Sequence, residues 1–128
     1  MQTDTSNQRR PRGLGWLVVL IFVCCSPVYS AQKDLDFNRD IRPILSDHCY
    51  ACHGPDENKR KAGLRLDQPD EALKTLKSGN RAIVPGDVEK STLVQRLNSR
   101  DPDEMMPPPK EGKSLRADHV ELLIRWVK

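Results

Sequence analysis

Aromatic residues are scarce in this chain: two Trp, two Tyr and two Phe, 5% of 128 residues. A core so poor in rings suits a small domain that draws much of its buried apolar surface from a bound group. No run of about 20 consecutive apolar residues occurs, so no segment has the ordinary length of a membrane span. No segment alternates apolar and polar residues as a half-buried strand does, which argues against a sandwich or a barrel and for an all-α fold. Internal repeats and low-complexity tracts are absent too. A length of 128 residues allows one domain and not two.

What is present begins with a leader. Arg9, Arg10 and Arg12 make a positive stretch, and Trp16 to Val23 an apolar one. Val28-Tyr29-Ser30 then offers compact residues where a signal peptidase reads, so residues 1–30 are expected to be a signal peptide cleaved before Ala31. Left uncleaved, the same segment would act as an anchor, and only then would a membrane be a partner. Cys24 and Cys25 end the apolar run, but Val23 and Cys24 are poor residues to precede a lipid-attachment cysteine. Loss of residues 1–30 removes three arginines and Asp4. That leaves 18 basic and 17 acidic residues of the original 21 and 18, a near-neutral chain with no call on nucleic acid. Export to the periplasm or cell envelope is expected.

Of the four cysteines, only Cys49 and Cys52 survive cleavage. They lie in Cys49-Tyr50-Ala51-Cys52-His53, a C-x-x-C-H run and the attachment signature of a c-type haem. Two thiols about one helical turn apart can each bond one vinyl group on the same porphyrin edge, and the next residue can then turn its imidazole to the iron. The rivals are a Cys49–Cys52 disulfide, favoured by export, and a zinc site completed by His48 or His119. A thioredoxin-like site would need a preceding strand and a βαβ pattern.

Helical spacing links Phe37, Ile41, Ile44, Leu45 and His48. Pro43 is tolerated only in a first turn. The expected helix therefore runs from Ile41 to His53 with Asp40 as its N-cap, Phe37 in a separate preceding turn, and Gly54-Pro55 as its stop. Residues 31–36 read as a polar lead-in and 54–68 as a loop, with Leu64 and Leu66 a short extended piece against the haem. A helix beginning at Pro69 carries Ala72, Leu73 and Leu76 on one face and ends at Gly79. Ile83-Val84-Pro85-Gly86 reads as a turn. Another helix starts near Lys90 or Ser91 and carries Leu93, Val94 and Leu97. Residues 99–113 are loop. The last helix, about Arg116 to Val127, buries Val120, Leu123, Ile124 and Val127, with Trp126 and Phe37 holding the terminal helices together.

A haem iron needs two axial ligands. His53 offers one through neutral Nε2, with its Nδ1–H expected to donate to a backbone carbonyl. Met106 is the distal choice, since a thioether favours ferrous iron and the prolines after it hold the backbone extended. Met105 is the alternative, and His48 and His119 are others. Lys59-Arg60-Lys61 reads either as a solvated loop or as a patch for an acidic redox partner protein.

The segments F-N-R-D-I-R-P-I-L-S-D-H-C-Y-A-C-H-G-P-D, K-A-G-L-R-L-D, A-I-V-P-G-D-V-E-K-S-T-L-V-Q-R-L, M-P-P and L-L-I-R-W-V resemble, in order and spacing, the planctomycete-type cytochrome c domain over about residues 36–128. The resemblance implies thioether bonds at Cys49 and Cys52, proximal ligation by His53, and a distal Met at the M-P-P position, here Met106. The family domain usually precedes larger exported regions and continues past the tryptophan helix, whereas this sequence stops at Lys128, so the domain of residues 37–128 is read as a candidate for C-terminal truncation. The expectation is an all-α, class I-like cytochrome c domain around one covalent haem c and its iron, carrying single electrons between redox partner proteins. It is not expected to be an enzyme, because a six-coordinate iron has no open site. The alternatives are a haem module of a larger exported catalytic or cell-surface protein, and a sensor or peroxidase with a labile distal Met.

Overall fold

A computed structural model describes residues 34–110 and 114–128, all within one compact unit. The expected signal peptide, its cleavage point before Ala31, Cys24 and Cys25, residues 31–33 of the lead-in, and residues 111–113 of the proline-rich loop lie outside the described residues. The described chain is helical. A π-helical turn, Phe37–Ile41, leads directly into α1 (Arg42–His48), followed by α2 (Tyr50–His53), α3 (Pro69–Ala72), α4 (Thr92–Asn98) and α5 (Ala117–Val127). No strand occurs among the described residues, only a single antiparallel bridge between Thr75 and Arg81. No helix among them is long and apolar enough to cross a membrane.

The first helix departs from its expected boundaries at both ends. Asp36, not Asp40, is the N-cap: its Oδ1 accepts the Arg39 N–H at 2.7 Å. Asp40 instead reaches back, and its Oδ2 accepts the Asp36 N–H at 2.9 Å. This is the reciprocal logic of a capping box, stretched by one residue. Pro43 supplies the reason. It has no N–H to give, so a regular ladder breaks at its position, and Arg42 N–H reaches five residues back to the Phe37 carbonyl. Phe37 is therefore part of this element and not of a separate turn. At the other end the helix breaks at Cys49 (φ −123°, ψ −39°) before α2 resumes.

The helix from Pro69 also ends early, at Ala72 and not at Gly79. The Arg81 guanidinium takes the Leu73 carbonyl through Nε (3.1 Å) and Nη2 (2.9 Å). Leu76 N–H then donates to the Asn80 carbonyl at 2.8 Å, closing a tight reversal around Gly79 at φ +85°. The following residues cap α4 with backbone: Thr92 and Leu93 N–H groups donate to the Arg81 and Ala82 carbonyls at 3.1 and 3.0 Å. Donors that a helix start leaves without partners are thus met by the chain itself.

The core joins Ile41, Ile44 and Leu45 from the first helical stretch with Leu64, Leu66, Ala82 and Ile83 from loops, Ala72 from α3, Leu93 and Val94 from α4, and Leu123 and Val127 from α5. Phe37 and Trp126 meet with ring centroids 5.6 Å apart, the expected pairing of the two ends. Val120 and Ile124 of the expected stripe are only half-buried. Ser91 is the one fully buried polar residue among those described. Its hydroxyl accepts from Val84 N–H (2.9 Å) and donates to the Asp87 carbonyl (2.7 Å), and Gly86 N–H donates to the Val127 carbonyl (2.8 Å). The expected turn at 83–86 is thereby fastened to both flanking helices.

Candidate functional site

The C-x-x-C-H run occupies the last turn of the first helical stretch. Cys49 N–H donates to the Leu45 carbonyl and His53 N–H to the Cys49 carbonyl, each at 2.8 Å. Helical spacing along this turn brings Cys49, Cys52 and His53 to one side. The turn ends at Gly54, which is buried and extended (φ −131°, ψ −154°). A Cβ there would fall 2.3 Å from the Tyr50 carbonyl oxygen, so glycine is required for close approach and not for its φ.

The loop that follows closes back on this turn. Lys61 N–H donates to the Cys52 carbonyl and Leu66 N–H to the His53 carbonyl, both at 2.8 Å. Arg60 turns inward, its Nε donating to the Gly54 carbonyl (3.0 Å) and its Nη2 to the Pro55 carbonyl (2.8 Å). Of the three cations at 59–61, then, the middle one is structural. Lys59 is exposed beside Asp56, and Lys61 is exposed at the cavity wall. Ala62 (φ +54°) and Gly63 (φ +69°) take the left-handed backbone that returns the chain so that Leu64 and Leu66 point inward.

These pieces wall a cavity of about 970 Å³. That is near the top of the range for cofactor and small-molecule sites, roughly 300–1,000 Å³. Cys49, Cys52 and His53 line one part of it, Leu64, Leu66, Ala82 and Leu93 supply apolar wall, and Met106 with Pro107 and Pro108 closes another part. Met105 is not among the lining residues. It faces a smaller recess of about 280 Å³ that Met106, Leu97 and Leu115 also line. His48 lines the large cavity and meets His119 edge-on, ring centroids 5.7 Å apart, while His119 itself is outside the lining.

The electrostatics favour neutral donors. Burial pushes the Cys49 thiol up to about 11, so near neutrality it stays protonated. His53 titrates below the usual histidine range. Burial is the main cause, the Lys61 carbonyl opposes it, and the Arg96 charge adds to it. The backbone acceptor expected for His53 Nδ1 is the Lys61 carbonyl, toward which the buried Nδ1 is set without reaching full hydrogen-bond geometry.

Cys49 and Cys52 are both free thiols, not joined to one another. No group of three or more His, Cys, Asp or Glu is assembled to hold a bare metal ion among the described residues. A zinc site from this motif with His48 or His119 therefore has no support. Two thiols one turn apart, a neutral imidazole and a thioether around one apolar cavity are a donor set that fits a haem held covalently. Sequence reasoning did not single out Arg96, which also lines the cavity and contacts the methionine loop. Nothing local distinguishes it from any other exposed helical arginine.

No curated protein and no solved structure matches the chain. Residues 49–110, from the first cysteine of the motif through the proline run, match the family model described as planctomycete cytochrome C.

Proposed function

We propose that the protein is an exported electron carrier with one haem c, attached through Cys49 and Cys52 and ligated at its iron by His53 and Met106. A domain of the cytochrome c family implies covalent haem c and its iron. When bound, that group supplies a one-electron couple; the chain's own residues hold, orient and shield it. The observation that carries the reading is that Cys49, Cys52, His53 and Met106 all line one cavity, whereas Met105 does not. His53, kept neutral by burial, presents a ligand that needs no proton removed. Met106 contributes a soft, uncharged sulfur that favours the ferrous state. Held by both His53 and Met106, the iron would keep no open position for a substrate, and the protein would carry electrons and not catalyse a reaction. Apart from the helical class, a class I-like cytochrome arrangement belongs to the same proposal. Export rests on the leader read at residues 1–30 and on the compartment in which cytochrome c domains are generally matured.

The test uses the exported holoprotein. Intact mass should show one haem per chain that survives denaturation, and Cys49→Ala or Cys52→Ala should leave it singly linked or lost. The oxidised protein should show the long-wavelength charge-transfer band of a thioether–iron bond, absent in Met106→Ala and kept in Met105→Ala. The reverse pattern for the two methionines would overturn the distal assignment.

A further inference from the structure

The methionine that lines the cavity sits in a loop held from outside by one side chain. Residues 101–105 fold on themselves: Glu104 and Met105 N–H groups donate to the Asp101 carbonyl at 3.0 and 2.8 Å, and Asp103 N–H to Asp101 Oδ1 at 3.0 Å. Those bonds shape the turn without tying it to α4. Arg96 supplies the tie at two points. Its backbone carbonyl accepts the Met106 N–H at 3.1 Å. Its Nη1 donates to the Glu104 carbonyl at 3.1 Å and pairs with Glu104 Oε2 at 3.0 Å.

We infer that Arg96 is a positioning residue that holds the 101–106 loop so that Met106 stays in the cavity wall. The ion pair alone would be a weak argument, since side chains that are 41% and 57% exposed gain little from pairing. The geometry adds what an ordinary surface pair lacks. One guanidinium nitrogen holds both the carboxylate and the main chain of Glu104, and the same residue's carbonyl holds the main chain two positions further on. The loop is therefore clamped on both sides of Met105, which fixes which of the two adjacent methionines faces inward. Arg96 also lines the cavity, and its charge is felt at His53 across it. The inference rests on Met106 being the distal ligand.

The experiment is the rate at which imidazole binds the oxidised holoprotein, because imidazole can enter only when the distal sulfur leaves. In Met106→Ala entry should be fast, which tests the ligand reading by itself. Arg96→Gln removes the Glu104 contacts and keeps the backbone bond. It should speed imidazole entry roughly tenfold, the size expected for losing a hydrogen bond to a charged group, while covalent haem and the far-red band at equilibrium persist. Arg96→Lys, which keeps the charge but carries it on a single ammonium at the end of a different stem, should fall between wild type and Arg96→Gln. Ser91→Ala loosens the 84–91 loop instead and serves as the control for general destabilisation. Wild-type rates in Arg96→Gln and Arg96→Lys, with Met106→Ala fast, would overturn the positioning role alone. Equal acceleration by Ser91→Ala would overturn it too, as mere loosening. A wild-type rate in Met106→Ala would sink the ligand assignment instead.

Discussion

Gly54 shows how a single missing atom shapes the site. The Tyr50 carbonyl occupies the place its Cβ would take, so Gly54→Ala must push the end of α2 away from the loop that closes on it. Overpacking of this kind costs about 1–3 kcal/mol, and a denaturant melt of the holoprotein should show a midpoint shift of that size. A wild-type midpoint would mean that the turn yields freely. His53 gives a pH prediction at the same scale. Burial lowers its affinity for protons below the ordinary value of 6.5. A proton competes with iron for the same nitrogen, so weaker protonation means that ligation survives further into acid. Acid titration of the low-spin spectrum should therefore have its midpoint below pH 6.5, and a midpoint above it would contradict the assignment. The motif residues were legible in the sequence because attachment chemistry demands fixed spacing. The choice of Met106 over Met105 rested on the proline after it; Met106 lines both the large cavity and the smaller recess, Met105 the recess only. Arg60 and Arg96 were not legible: each works by capturing main-chain carbonyls, Arg60 six residues back, Arg96 eight residues ahead, and no pattern of residue types signals that.

Among the elements, the first helical stretch was the most readable and still differed in detail. Its apolar spacing placed Ile41, Ile44 and Leu45 in the core, yet periodicity assumes regular turns. Pro43 removes a donor and the chain answers with a wider turn, which moves the cap from Asp40 to Asp36. Asp36→Ala should cost about 1 kcal/mol, read as a lower denaturation midpoint, and Asp40→Ala should cost something as well because its carboxylate holds the Asp36 N–H. No change in either variant would mean that the reciprocal cap is not formed in solution. The third helix was over-extended for a different reason. Leu73 and Leu76 keep helical spacing, but the chain reverses at Gly79, held by Arg81 on the Leu73 carbonyl and by the Leu76 N–H on the Asn80 carbonyl, contacts that helical periodicity does not signal. The last helix needed no distant partner to be read, and its observed start lies one residue from the expected one.

For the whole molecule, the core and the cavity share walls. Leu64, Leu66, Ala82 and Leu93 belong to both. Folded domains are typically stable by only ~5–15 kcal/mol, and the cost of an unfilled cavity rises with its volume. A chain prepared without haem should therefore lack a cooperative thermal transition, and attachment should restore one, since a group bound only by the native state stabilises it. A sharp calorimetric peak in the haem-free protein would contradict this. The shortage of aromatic residues points to the same dependence. What composition could not supply is the division of labour along the chain. One part of the cavity is built within residues 47–66, and the rest comes from residues 76–82, α4 and the proline-rich loop.

The loose seating of the buried His53 Nδ1 against the Lys61 carbonyl would have an electronic consequence. A ring nitrogen that donates to a carboxylate or carbonyl makes its imidazole a stronger electron donor to metal. Were His53 to hold an iron, so slight a bond would leave the ring giving less density to it, and the ferric state, in greater need of that density, would lose more. The bias would then be toward the reduced form, the same direction that a thioether such as Met106 would give. Proton NMR of the ferrous protein should find the Nδ1–H signal with only slight downfield displacement, and a strongly displaced signal would show a full hydrogen bond to the carbonyl.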